Sequence, residues 1–292
     1  MTIIVSGVGL VGFGVRDGRG AAGLLPSALT VGEEPSPAPS GPSPEELAAK
    51  ERRQRVDRLD AALKKVAADA PEFAVAVLDA RTGARYSFRG AATFDTASIV
   101  KVEVLTCLLL QAQDEDRDLT EGETALAEPM IRKSDNDATS ELFERVGGRV
   151  AITRCNERLG LTETVVNAAW GLTKTTADDQ VTLLSELVDA EGPLDADSRR
   201  TAFLMMNTVV ESQQWGVPRL AESGETATVK NGWDTRTADS GLWAVNSIGR
   251  LVSADEHTDV SIAILSHDNS SMSNGITLVE NVAELTRRYL EF

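Results

Sequence analysis

The chain has 292 residues, of which 42% are hydrophobic and 25% are charged. This length and this balance are typical of a soluble enzyme with one or two domains. The formal net charge of −16 gives a surface that repels nucleic-acid phosphates and anionic lipid, so the composition argues against nucleic-acid and membrane-surface partners.

The first 42 residues are expected to form an export segment followed by a proline-rich linker. The apolar run at 3–15 is short and rich in glycine, which argues against a membrane span. Residues 7–12 match the dinucleotide fingerprint GxGxxG, but a proline-rich stretch at 34–42 follows instead of the required helix. We therefore expect a secreted or cell-envelope protein. The alternative is a weak signal on a protein that stays in the cell.

The first predicted helix begins at a capping box, SPEE at 43–46, which has proline at the first helical position. It runs to about Ala70, just before Pro71. The continuous apolar run from 73 to 80 then predicts a buried strand, and a turn leads into a second strand at 84–88.

From residue 98 onward the hydrophobic pattern is mainly helical, and strands return after residue 225. The remaining predicted helices are 98–113, 123–132, 136–146, 149–159, 176–190, 196–210 and 275–290, and the remaining predicted strands are 226–230, 241–251 and 259–266. This order predicts an α/β (α+β) fold, with an antiparallel sheet built by both ends of the chain and an inserted all-helical domain. We expect 43–95 and 218–292 to form the α/β domain and 96–217 the helical domain.

Three short motifs occur in order: SIVK at 98–101, SDN at 134–136 and KNG at 230–232. On a helix, a hydroxyl and an amine three residues apart face the same way, and a desolvated lysine can activate a serine hydroxyl. Each motif alone has an ordinary structural explanation, such as Asp135 capping the next helix. Their ordered occurrence indicates a serine nucleophile site in the cleft between the two domains.

From Ala97 to Leu251 the chain resembles class A β-lactamases and their serine-hydrolase relatives, whose motifs are S-x-x-K, S-D-N and K-T-G. The resemblance implies a five-stranded antiparallel sheet flanked by N- and C-terminal helices, plus the helical domain. It also implies that Ser98 is the acylated nucleophile, that Lys101 accepts its proton and that Ser134 passes the proton to the leaving nitrogen.

The resemblance further implies how a substrate is held. Lys230 would control Ser134 and the substrate carboxylate electrostatically, and Asn136 would bind the substrate side-chain amide. The oxyanion hole would use the backbone N–H groups of Ser98 and Trp233, with Gly232 allowing a close approach.

The chain departs from the family pattern at three places. Asn231 stands where a hydroxyl normally contacts the substrate carboxylate, so we expect altered carboxylate recognition at that position. Ser98 and Ser134 are only 36 positions apart (134 − 98), which predicts a wide site.

The loop at 160–174 is short, and its one acid, Glu163, lies four residues before Asn167 (167 − 163). This is the spacing of the family's Glu-x-x-x-Asn pattern for deacylation, but Glu163 comes too early, next to the preceding helix, so we expect no positioned base in this loop.

The sequence indicates the roles of other polar and aromatic residues less specifically. Cys107 and Cys155 are expected to be buried free thiols rather than a disulfide, and neither lies at a metal-ligand spacing. His257 and His267 are expected at the surface or at strand ends. For Trp170 and Trp233, the sequence favours core packing and a place in the cleft wall equally. Arg236, which could replace the missing hydroxyl, is more typical of a hairpin tip.

The sequence thus predicts a monomeric serine hydrolase without metal or cofactor, which acts on a β-lactam or a D-alanyl-type amide through a Ser98 acyl-enzyme. Deacylation is expected to be slow. A second hypothesis is full β-lactamase activity with Glu163 or Lys101 activating water. A third is a non-catalytic envelope protein that binds peptidoglycan or a protein partner.

Overall fold

The computed structural model describes residues 42–235, 240–255 and 257–292. The predicted export segment and linker, apart from residue 42, lie outside the described residues, and so does Arg236. Residues Pro44–Phe292 form one compact unit, and the predicted division of this unit into two domains stays a prediction.

Both ends of the described chain contribute to a five-stranded antiparallel sheet in the order β2-β1-β7-β6-β5. Its strands are β1 (Phe73–Asp79), β2 (Ala84–Phe88), β5 (Glu225–Thr235), β6 (Trp243–Ser253) and β7 (Asp259–Ser266), while β3 (Thr93–Asp95) and β4 (Lys174–Thr176) pair with each other in a small second sheet. The predicted sheet, with terminal helices and a helical insertion, is confirmed.

Helices cover the sheet and fill the insertion. They are α1 (Pro44–Val66), α2 (Val100–Asp114), α3 (Glu121–Arg132), α4 (Asn136–Val146), α5 (Gly148–Arg158), α6 (Ala177–Glu186), α7 (Ala196–Asn207) and α8 (Met272–Leu290). Within the described ranges, no helix combines the length and the apolar character needed to cross a membrane.

Strand β1 is buried on both faces, as its continuous apolar sequence predicts. Small side chains such as Ala74 and Ala76 face the core shared with the insertion, whereas Phe73 and Val75 face the core shared with α1 and α8. The sheet therefore separates two apolar layers, and its insertion-side layer supports α2.

Helix α2 is the centre of the insertion, because nearly all of its residues are buried. It is apolar on every side, which is typical of a helix enclosed by other elements. Two ionisable side chains, Lys101 and Glu103, are nevertheless fully buried in its first turns.

The small β3–β4 sheet was not predicted, since three-residue strands are too short to show a periodic pattern. Its β3 strand leads directly into the 3-10 turn Ala97–Ile99, and its β4 strand follows the loop at 160–173. An ion pair of 2.8 Å between Lys174 Nζ and Asp95 Oδ1 crosses the pairing. This sheet fixes that loop beside the start of α2.

The prediction of two free thiols is wrong, because Cys107 and Cys155 form a disulfide. Their Cα atoms are 5.8 Å apart, which lies within the range for a bridge. Periodicity places each cysteine on an inward-facing stripe, but it does not show that these stripes of α2 and α5 meet. The bridge ties the central helix to a helix 48 residues further along the chain.

We predict that the double variant Cys107→Ala and Cys155→Ala unfolds more easily by about 2–4 kcal/mol, because the cross-link restricts the unfolded chain. Denaturant unfolding under oxidising conditions measures the difference. A reductant should destabilise the wild type and leave the double variant unchanged. Equal unfolding midpoints for the two proteins under oxidising conditions would contradict this prediction.

Candidate active site

The Lys101 amine is the centre of a convergent polar group. Its Nζ lies 2.8 Å from Ser98 Oγ, 3.0 Å from Ser134 Oγ, 2.9 Å from the Ser134 carbonyl oxygen and 2.8 Å from Asn136 Oδ1. These four contacts exceed the three protons of an ammonium group. A neutral amine can take part in these contacts in another way. Its two N–H groups donate to the two carbonyl oxygens, and its lone pair accepts a proton from a serine hydroxyl.

Ser98 reaches this group because of the turn that carries it. It lies in the 3-10 turn Ala97–Ile99, directly before α2, and Lys101 follows one turn later. Ala97 has a φ of 45°, a left-handed conformation that is unfavourable for alanine. Such strain persists only where the surrounding structure holds it, and here it presents the half-buried Ser98 hydroxyl to Lys101.

The SDN segment performs two tasks at the start of α4. The Asp135 carboxylate caps the helix by accepting a hydrogen bond of 2.8 Å from the Ala138 N–H, so the structural reading of this residue is confirmed. Ser134, with a φ of 60°, turns its hydroxyl and its carbonyl oxygen toward Lys101. The cap therefore fixes the loop that carries the second hydroxyl.

Lys230 approaches the same hydroxyl from the sheet. Its Nζ donates to Ser134 Oγ at 3.0 Å and to the Asn231 carbonyl oxygen at 2.8 Å. Ser134 therefore lies between two amines, both completely buried. Such burial disfavours a charged amine.

The two lysines have lowered pKa values for related reasons. Burial lowers the pKa of Lys101 to about 7, although the nearby Asp135 carboxylate opposes this change. Burial and the neighbouring Lys101 charge hold the pKa of Lys230 well below its usual range. A neutral amine at Lys101 is therefore accessible near neutral pH.

Gly232 brings strand β5 into contact with the turn at Ser98. A Cβ atom at this position would lie 2.8 Å from Ser98 N, Ile99 N and the Thr96 carbonyl oxygen. Only glycine permits this approach without a shift of the backbone. Trp233 follows on β5, and its ring packs edge-on against Trp215 with centroids 6.0 Å apart. The predicted oxyanion pair of Ser98 and Trp233 stays a prediction that this approach supports.

The Asn231 side chain is not brought to the group, contrary to its expected place among substrate-binding residues. Its Nδ2 donates to the carbonyl oxygens of Gln213 and Trp215 at 2.8 and 3.0 Å, and the residue is buried. Strand alternation explains the difference, because neighbours on β5 point to opposite faces. Asn231 therefore fixes the 213–215 segment, whereas Lys230 faces Ser134.

Glu163 is not brought to the cleft either. It is exposed, and its backbone N–H donates to Asp179 Oδ2 at 3.0 Å. The same carboxylate oxygen accepts a 2.6 Å hydrogen bond from Thr164 Oγ1, which pins this part of the loop against α6. The cleft beside Ser98 has a volume of about 300 Å³ and is lined by Ala97, Ser98, Asn136, Ala169, Trp170, Gly171, Leu172, Trp233 and Asp234.

Trp170, which lines the cleft, and Glu103, two residues after Lys101 on α2, occupy positions that no motif indicated. The Trp170 ring lies over Lys101, with Nζ 4.9 Å from the ring centroid. Glu103 is fully buried on α2 and accepts a 2.6 Å hydrogen bond from Asn156 Nδ2. Burial raises the pKa of Glu103 to about 7. In the described ranges, no three His, Cys, Asp or Glu side chains are grouped to hold a metal ion.

Comparison with known proteins shows where this fold and sequence recur. The chain is 28% identical over 184 residues to proteins described as putative lipoprotein LppW in Mycobacterium tuberculosis and Mycobacterium bovis, a match that covers 60% of this chain. The match spans only 58% of the length of those curated relatives.

Solved β-lactamases share the fold. TLA-1 extended-spectrum β-lactamase superposes with a TM-score of 0.70 at 19% identity, covering 80% of this chain and 99% of the enzyme. The chromosome-encoded β-lactamase of Vibrio parahaemolyticus gives 0.69 at 17% identity, covering 79% and 98%. The sequence profile of the β-lactamase enzyme family matches residues 123–290, which is more than half of the chain. The chain therefore belongs to the β-lactamase enzyme family.

Proposed function

We propose that this protein is a penicillin-recognising serine hydrolase that forms a slowly hydrolysed acyl-enzyme on Ser98. Its substrates are β-lactams or D-alanyl-type amides. The observation that carries the proposal is the position of the Lys101 amine, within hydrogen-bond distance of both Ser98 Oγ and Ser134 Oγ. A nucleophile next to a base, with a second hydroxyl beside that base, is the arrangement that acyl transfer requires.

Acylation follows from these contacts without net proton gain. The neutral Lys101 amine takes the Ser98 proton as Oγ bonds to the substrate carbonyl carbon. Lys101 then protonates the leaving nitrogen through the Ser134 hydroxyl as the C–N bond breaks. The negative charge on the carbonyl oxygen develops beside the N-terminal turn of α2, where backbone N–H groups and the helix dipole stabilise it.

Substrate recognition uses the remaining donors of the group. Lys230 is the second amine bonded to Ser134, and a substrate carboxylate beside it would favour its charged form, so we assign it that carboxylate, and the Asn231 side chain takes no part. Asn136 offers its amide nitrogen to a substrate amide while its oxygen stays with Lys101. Trp170 and Trp233 supply apolar walls to the cleft.

Slow deacylation follows from the residues that line the cleft. Among the described lining residues, Asp234 is the one carboxylate, and it lies on β5 rather than on the 160–174 loop. A glutamate that activates water typically accelerates attack by about 10²–10⁴-fold. Without such a base, the ester on Ser98 persists.

The place of action is proposed from two supporting points. The relatives in Mycobacterium are described as putative lipoproteins, and the first 42 residues read as an export segment with a linker. We infer that the protein acts in the cell envelope, as a monomer, on a small-molecule or stem-peptide substrate. No cofactor is needed for the chemistry above.

Incubation with a penicillin should add one penicillin mass to the wild-type protein, because Ser98 opens the ring and keeps all of its atoms. Intact-mass spectrometry measures this adduct. Ser98→Ala should carry none. Ser140→Ala is the matched control, since Ser140 is a nearby exposed serine outside the Lys101 contacts and should keep the adduct.

A chromogenic cephalosporin separates trapping from turnover. We expect one stoichiometric burst followed by a slow steady phase, and Glu163→Gln should leave both phases unchanged because Glu163 is not among the described residues that line the cleft. Rapid turnover that Glu163→Gln abolishes would restore the full β-lactamase hypothesis. An unlabelled wild type that sediments with purified cell wall would instead favour a non-catalytic binding module.

The acylation rate should rise with pH to a plateau, with its midpoint near the Lys101 pKa of about 7. The sign follows from the role of Lys101: only the neutral amine accepts a proton, and the neutral form increases as pH rises. Labelling rates with a fluorescent penicillin from about pH 5 to about pH 9 measure the profile. A midpoint near the ordinary lysine value, or no pH dependence, would contradict the assignment of Lys101 as the base.

Gly232→Ala should lower the acylation rate by about 10²-fold or more, since its Cβ would push β5 away from the Ser98 turn. Gly171→Ala is the control, because this glycine lines the same cleft but has open space at its Cβ position. Single-turnover labelling measures both variants, and thermal unfolding shows that they are folded. Full activity in Gly232→Ala would disprove the close approach.

A further inference from the structure

We propose that Trp170 is a positioning residue whose ring face holds the Lys101 amine between Ser98 and Ser134. The catalytic meaning of this inference rests on the proposed function. The carrying observation is the ring lying over Lys101, with its centroid 4.9 Å from Nζ. A cation within about 6 Å of an indole centroid, over its face, is attracted by the ring quadrupole.

The placement of Trp170 is fixed from three directions. Its Nε1–H donates to Ser140 Oγ on α4 at 3.2 Å, and its carbonyl oxygen accepts the Thr173 N–H at 3.1 Å. The Thr96 N–H donates to the Thr173 carbonyl oxygen at 2.8 Å, which ties this turn to the residues just before Ser98. Trp170 also packs against the apolar core of the insertion. The ring is therefore held at a defined position over the amine.

The ring completes the surroundings of Lys101. Ser98, Ser134 and Asn136 supply the polar contacts, and Trp170 supplies an apolar face. When Lys101 takes the Ser98 proton, it becomes an ammonium ion in a buried place. The indole face stabilises that ion without offering a competing proton acceptor. Trp170 thus helps the transfer and keeps the amine directed at the two hydroxyls.

Three other charged groups act on the same amine or line the same cleft. Asp135 raises the pKa of Lys101, and Lys230, which is bonded to the same Ser134 hydroxyl, is a second amine of lowered pKa. Asp234 lines the cleft from β5. All three remain unchanged in variants of Trp170, so a change in Lys101 behaviour reports on the ring.

The test measures Lys101 directly, by an NMR titration of protein with ¹³C-labelled lysine, in which Lys101→Met identifies the resonance. Trp170→Leu keeps an apolar side chain but removes the ring, and should lower the Lys101 pKa by about 0.4 to 1.5. Trp170→Phe keeps a ring and should stay closer to wild type. Ser140→Ala, which keeps the ring and loses the hydrogen bonds of Ser140 Oγ to Trp170 Nε1 and to the Asn136 carbonyl oxygen, should change the pKa least.

Acylation supplies the second readout. In Trp170→Leu the midpoint of the pH profile should move down with the Lys101 pKa, and the plateau rate should fall about tenfold, because the amine is less well directed. Trp170→Phe should recover most of that rate. A Trp170→Leu protein that folds but keeps the wild-type Lys101 pKa and plateau rate would overturn the inference, as would a raised Lys101 pKa.

The two proposals fail in distinguishable ways. If penicillin does not label the wild type, the proposed function fails, while the titration still decides whether Trp170 acts on Lys101. If the wild type is labelled and Trp170→Leu matches it in both readouts, only the positioning role fails.

Discussion

The hydroxyl of Ser134, held between two buried amines, is the interaction on which the site depends. Lys101 approaches it from α2 and Lys230 from β5, each at 3.0 Å. Helix α2, the loop before α4 and strand β5 must therefore be in register before both of these hydrogen bonds form. The apolar surroundings of α2 make this demand strict, because a displaced amine would be left buried without a partner.

The rest of the fold supports the contacts of the Ser134 hydroxyl with the two amines. Strand β5 touches the turn at Ser98 through Gly232, and Asn231 uses the opposite face of the same strand to anchor the 213–215 segment. The small β3–β4 sheet fixes the loop that carries Trp170. Two adjacent residues of β5 thus have separate roles: Gly232 brings the strand to the site, and Asn231 holds the structure on the other face.

Local signals in the sequence were sufficient for much of this architecture. Helix Asn136–Val146 and strands Ala84–Phe88 and Asp259–Ser266 have the predicted bounds, because an aspartate cap, a turn and regular alternation mark them. The three motifs also come together as expected. Two predictions failed on contacts between distant segments, the Cys107–Cys155 bridge and the direction of the Asn231 side chain, and the indole over Lys101 was not predicted for the same reason. No local pattern encodes where two helices or a loop and a helix meet.

The buried ionisable groups of α2 also link the stability of the fold to proton concentration. Glu103 has a raised pKa, so its contribution to stability is full in acid and declines as pH rises from its ordinary value toward about 7. Lys101 and Lys230 have lowered pKa values, so the unfolded chain binds more protons than the native one until the ordinary lysine value is passed. The Glu103 contribution therefore falls as pH rises toward about 7, whereas the contributions of the two lysines rise as pH approaches the ordinary lysine value. A rise in pH above about 7 thus does two things at Lys101: it frees the amine for chemistry, and it lessens the cost of holding that side chain in a dry interior.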